Sequence, residues 1–93
     1  ATNHAKMYGL APRKGTIAVG ADADIAIWDP QIEQTLTHAM VKDGSDYTPY
    51  EGMRITGWPV TTLVRGQIVS HDRRIEARKG HGTYLKRDIS QYA

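Results

Sequence analysis

The chain has 93 residues, a formal net charge of +2 and no cysteine, and 40% of its residues are hydrophobic. That length allows one small domain and no more, and the missing cysteine removes disulfides and thiolate metal sites as staples. A charge this small does not by itself imply nucleic acid, and no apolar run reaches the roughly 20 residues that a membrane helix needs.

The opening "ATNHAKMYGL" lacks the charged start and long apolar block of a signal peptide. It also lacks an initiator Met and begins in what reads as mid-helix, so a piece of a longer chain is expected. "TNHAKMYGL" predicts a short helix capped by Thr2 or Asn3 and stopped by Gly9, with Ala5, Tyr8 and Leu10 facing inward. "APRKGT" then turns the chain, punctuated by Pro12 and Gly15.

"TIAVG" alternates weakly and predicts a strand, while "DIAIWD" is a clearer one, bounded by Gly20 and Pro30. "GADAD" between them has the composition of a tight connection. The partial alternation of "QTLTHAMV" predicts another strand over 34–41. "KDGSDYTPYEGM" is a polar loop of a length that commonly carries a specific job.

Two apolar runs at 61–64 and 67–70, broken by Arg65-Gly66, predict a tight β-hairpin, and His71-Asp72 turns the chain again toward Ile75. From Ala77 the tail shows no core-forming period and reads as an extended arm. Around its start six cations (Arg73, Arg74, Arg78, Lys79, Lys86 and Arg87) face only Asp72 and Glu76. Such an excess suits an acidic surface, a phosphate or a partner subunit.

The expected fold class is mainly β, four or five short strands with a short N-terminal helix and an extended C-terminal arm. So few strands leave too many edges to close alone, and a partner sheet is needed. The boundaries read as 1–10 for the helix end, 11–76 for the β segment and 77–93 for the arm.

Each candidate site has a plainer reading beside it. Asp22 and Asp24 could serve as a carboxylate pair for a hard metal or for acid/base work. No His or Glu stands within local reach, and Asp side chains commonly bond to backbone amides in turns, so a structural role is preferred. His4, His38, His71 and His81 show neither H-x-H nor H-E-x-x-H spacing and read as exposed or hydrogen-bonded histidines. "PRKG" lacks the P-loop and G-x-G-x-x-G patterns. The arm's cations lie among Tyr84, Leu85 and Tyr92, which would permit base stacking, yet a solvated or subunit-contacting arm is the preferred reading. Trp28 and Trp58 read as packing residues. No Ser, Lys or Tyr stands beside a candidate base as an activated nucleophile. On residues alone, no catalytic, cofactor-binding or metal-ligating residue is assigned.

Three blocks in order carry a resemblance: "NHAKMYGLAPRKGTIAVGADADIAIWDP", "DYTPYEGMRITGWPVTTLVRGQIV" and "GHGTYLKR". They resemble the cyclic amidohydrolases, the dihydropyrimidinase and D-hydantoinase family, and cover nearly the whole chain. His4 and Ala11 depart from that pattern, where proline or alanine and tyrosine are common. The resemblance implies a hydrolase that opens hydantoins or dihydropyrimidines on a TIM-like barrel. Two divalent ions, zinc by expectation, would be bridged by a carboxylated lysine and would activate water.

None of those ligands has a matching position in this chain, so the segment is expected to bind no cofactor and to be inactive by itself. The resemblance further implies a C-terminal segment contributing part of a composite β-sandwich in a cytoplasmic homo-tetramer or homo-dimer. Its partners would be the barrel and N-terminal strands of the same parent and a small cyclic amide, with no nucleic acid and no membrane. The alternative is an interaction module from a non-enzymatic relative of the same family.

Overall fold

The computed structural model describes residues 1–93. Its elements are α1 (Thr2–Met7), β1 (Ile25–Thr35), a 3-10 turn (His38–Met40), β2 (Arg54–Val64), β3 (Gln67–His71) and β4 (Arg74–Ile75). The strands form one antiparallel sheet in the order β1-β2-β3-β4. The chain is thus mainly β with one short helix, as the sequence predicts.

α1 stops where Gly9 enters the left-handed region at φ +67, which glycine adopts without steric cost. Its N-terminus departs from expectation. Ala1 is the cap residue with no side-chain bond, and the Thr2 hydroxyl instead donates to the Gly15 carbonyl at 2.8 Å. Ala5 is buried as expected, whereas Tyr8 is exposed.

The hairpin between β2 and β3 turns on Arg65 and Gly66, whose φ values of 48 and 78 are both positive. That is the pairing a two-residue I′ turn demands, because its twist matches the flanking strands. Val64 faces Gln67 directly across it.

β1 differs from expectation at its end. It runs on through Pro30 to Thr35, with the register broken between Asp29 and Glu33. The proline is tolerated because β1 is an edge strand and Pro30 lies in the irregular stretch, where no ladder donor is required. Pro59 of β2 is accommodated similarly, since β3 pairs with β2 only from Thr61 onward.

Two expected strands do not form. Residues 16–20 carry no strand, and Ile17 and Val19 stand almost fully exposed. Over 34–41 only Gln34 and Thr35 extend β1; the chain then bends into the 3-10 turn. The bend is fixed because Leu36 N–H donates to Met53 O at 2.8 Å and Gly52 N–H to Leu36 O at 2.8 Å. Those bonds close the base of the long polar loop instead of prolonging a ladder.

The tail from Ala77 contains no helix or strand. It returns to α1, where Asp88 N–H donates to Gly9 O at 2.8 Å and Gln91 N–H to Lys6 O at 3.1 Å. Gly9 is buried beneath it.

Little of the surface is covered. Only 3 of the 93 residues are buried, and the accessible area is 7562 Å². A compact monomer of this 10.3 kDa mass exposes about 5,400 Å². The radius of gyration, 15.6 Å, likewise exceeds the roughly 12 Å of a compact domain of this length. No helix is long and apolar enough to cross a membrane.

Candidate functional site

Asp22 and Asp24 meet the cations of the "PRKG" turn. Asp22 Oδ2 accepts from Arg13 Nε at 2.9 Å and lies 2.9 Å from Lys14 Nζ. Asp24 Oδ2 accepts from Lys14 Nζ at 2.5 Å. The remaining Asp24 oxygen accepts the backbone N–H of Arg65 at 2.9 Å, and Gly66 N–H donates to Ala23 O at 3.0 Å. Ala23 and Asp24 therefore clasp the hairpin turn through its two amides. The sequence places Asp bonds inside their own turn; Asp24 instead reaches an amide 41 residues on.

The electrostatics follow this geometry. The hydrogen bonds from Lys14, then from Arg13, hold the Asp22 carboxyl below the usual carboxylate range. Lys14 and then the Arg65 amide do the same for Asp24. The two carboxylates, Asp24 foremost, raise the Lys14 ammonium above its ordinary value. A 680 Å³ cavity adjoins the cluster, lined also by His4 and Tyr8. The carboxylates of the cluster are engaged by Arg13, Lys14 and the Arg65 amide.

The four histidines lie apart. His4 is on α1 and His38 opens the 3-10 turn, its backbone N–H donating to Glu51 Oε2 at 2.5 Å. The carbonyl of His81 in the arm accepts from the Arg65 guanidinium, and its ring Nε2 is buried without a partner. His71 enters an arrangement that the sequence reading misses. Its Nδ1 lies 2.9 Å from Thr61 Oγ1, and its Nε2 lies 3.3 Å from Asp72 Oδ2. The signal lay in the hairpin register, which sets Thr61 opposite His71. This hydroxyl, imidazole and carboxylate resemble a nucleophile set in composition only. The imidazole side chain is 53% and the carboxylate 72% exposed, so water competes for each contact. Nowhere do three His, Asp or Glu side chains converge as metal ligands.

Of the two tryptophans expected to pack, Trp58 is half-buried under the Arg73 guanidinium, 5.6 Å from the ring centroid. Trp28, at the register shift in β1, is exposed. In the arm, Tyr84 and Tyr92 are exposed and Leu85 is half-buried.

The chain matches the amidohydrolase family over residues 1–69. It is 48% identical over 86 residues to a D-hydantoinase of Geobacillus stearothermophilus, covering 92% of this chain and 18% of that protein. A dihydropyrimidinase of Rattus norvegicus is 40% identical over 86 residues, covering 92% of this chain and 17% of its own length. A solved D-hydantoinase structure superposes with a TM-score of 0.90 at 40% identity, over 98% of this chain and 20% of that one. The chain thus spans about a fifth of the length of these relatives. With the family match covering most of its residues, the chain belongs to the amidohydrolase family.

Proposed function

We propose that the chain is the non-catalytic, C-terminal part of a metal-dependent hydrolase that opens cyclic amides such as hydantoins and dihydropyrimidines. Its work is structural support of the catalytic barrel and contact between subunits in a cytoplasmic homo-tetramer or homo-dimer. Residues 1–10 flank the barrel, 11–76 form part of a composite β-sandwich with strands from the N-terminal end of the parent, and 77–93 form the arm.

The observation that carries this reading is the uncovered surface. A chain with only 3 buried residues in 93, none of them in a strand, has no core of its own, yet its backbone matches a D-hydantoinase at a TM-score of 0.90. The missing burial is what a companion sheet and a barrel would supply.

In this reading the metal ions of the parent are held by residues outside this segment. Asp22 and Asp24 are ion-paired, and no three potential ligands converge. No chemical step runs through this segment.

The test compares the 93-residue segment with the full-length parent for metal-dependent opening of hydantoin or dihydrouracil. Turnover is expected from the parent alone. Turnover by the segment would overturn the assignment.

A further inference from the structure

We infer that Arg65 is a two-sided latch, through which the seating of the arm depends on the clasp that Asp24 makes at the hairpin turn. One residue holds both contacts. Its backbone N–H donates to Asp24 Oδ1 at 2.9 Å, and its guanidinium donates to the His81 carbonyl in the arm. Arg65 stands at φ 48, a left-handed conformation that a bulky residue keeps only where its surroundings hold it. Gly66 completes the turn and gives its own N–H to Ala23 O at 3.0 Å. The base from which the Arg65 side chain leaves is thus fixed by residues outside the hairpin.

The middle of the arm has little else to hold it. Its start is tied to β3, where Glu76 N–H and Ala77 N–H donate to Val69 O at 2.9 and 3.1 Å. Its far end is tied to α1 through Asp88 and Gln91. Between Ala77 and Asp88, the Arg65 guanidinium makes the one hydrogen bond that joins the arm to the rest of the chain. None of Arg78, Lys79, Lys86 and Arg87 forms an ion pair. The grip falls on a defined turn: His81 N–H donates to Arg78 O at 3.1 Å, with Gly80 at φ 82. Beside the gripped carbonyl, the His81 Nε2 is buried without a partner, so other contacts keep the ring in place.

Seating and clasp are therefore linked equilibria. Without the Asp24 acceptor the turn amide is released, the Arg65 backbone ranges more widely, and its guanidinium loses its fixed aim at His81 O. A donor already fixed in place gives up less freedom on bonding, so its bond is the more stable. The linkage is reciprocal, and an unseated arm loosens the turn amides in return. Asp24 is itself held by Lys14, so the path runs from the turn after α1 through the hairpin to the arm.

The experiment treats the full-length protein with diethyl pyrocarbonate, which carbethoxylates an imidazole nitrogen it can reach, and follows His81 by mass spectrometry of the arm peptide. Arg65→Asn removes the guanidinium and should raise the rate at His81 about tenfold, the weight of one hydrogen bond to a charged group. Asp24→Ala alters no hydrogen bond of the arm itself, yet should raise that rate about fivefold, the low end of typical couplings. Asp24→Asn retains an acceptor and should stay near the unsubstituted rate. The double variant Arg65→Asn with Asp24→Ala should react no faster than Arg65→Asn alone, because both act through one path. Reciprocity gives a measurement that decides the matter even if Asp24→Ala does not fold. In Arg65→Asn the Gly66 amide, corrected for its new neighbour, should exchange about fivefold faster. A folded Asp24→Ala with an unchanged His81 rate, effects that simply multiply in the double variant, or an unchanged Gly66 amide would each overturn the proposal.

Discussion

Replacing Gly9 by alanine should detach the arm from α1. At Gly9 φ is +67, and an added Cβ would stand 1.9 Å from the Asp88 carbonyl oxygen and 2.5 Å from its carbon. Both atoms are backbone, so no side-chain rotation relieves the clash. Left-handed geometry costs an alanine about 1–2 kcal/mol. Moving the arm away also removes the Asp88–Gly9 and Gln91–Lys6 backbone bonds, worth about 1 kcal/mol each. The stiffer unfolded chain of the alanine variant returns about 0.4–1 kcal/mol. The two lost bonds, about 2 kcal/mol together, amount to roughly 30-fold in the opening equilibrium of the arm, while the strain and the unfolded-chain term act on overall stability.

The control is Gly20→Ala, where φ is +90 but an added Cβ meets nothing within 4 Å. That variant carries the backbone strain without the clash. Amide hydrogen exchange in the full-length protein reads the difference. Asp88 and Gln91 should lose protection in Gly9→Ala and keep it in Gly20→Ala. Unchanged exchange in Gly9→Ala, or equal loosening in both, would refute the reasoning.

Two further outcomes follow from the clasp on the hairpin. Because Asp24 and Asp22 titrate below their usual range, their stabilisation is complete above about pH 4 and is lost as pH falls through the lowered values. Lys14, raised, keeps its contribution below its ordinary value of 10.5 and loses it only in more alkaline solution. Asp24→Asn should flatten the acid limb of a stability-against-pH curve while preserving the acceptor for Arg65 N–H; an acid limb identical to that of the unsubstituted protein would contradict the ion pairing. Arg65→Asn should keep the turn, since asparagine tolerates positive φ, and change stability by less than about 1 kcal/mol. It removes the guanidinium contact to His81 O, so trypsin should cut faster at Arg78 and Lys79; unchanged cleavage would show that this contact does not restrain the arm.

What the sequence reveals here depends on whether a pattern and its partner lie close together. The hairpin at Arg65-Gly66 is legible because the turn residues and both strands occupy one short window. Pro30 misleads because a proline's effect depends on strand position: at an edge it interrupts nothing. "TIAVG" has a strand's alternation, but Ile17 and Val19 find no pairing partner within the chain, and the pattern reports an apolar face without a ladder. The stretch 34–41 loses to contacts formed elsewhere, since Leu36 bonds with Met53 and Gly52 across the loop. Among the candidate residues, Asp22 and Asp24 read from the sequence as turn residues, and the hairpin amide that Asp24 holds is not legible there, being 41 residues away. The pairing of Thr61 with His71 becomes visible only once the register is known.

The return of the arm to α1 also sets an order of events during synthesis. Gly9 leaves the ribosome 79 residues before Asp88, the residue whose amide its carbonyl will receive. At roughly 5–20 residues per second, that interval is about 4–16 s. Through it the carbonyls of Lys6 and Gly9 are solvated, and the hairpin can close on purely local contacts. All four strands thus precede the strap in the order of synthesis, and the bond that latches the arm to α1 is among the last the chain can make.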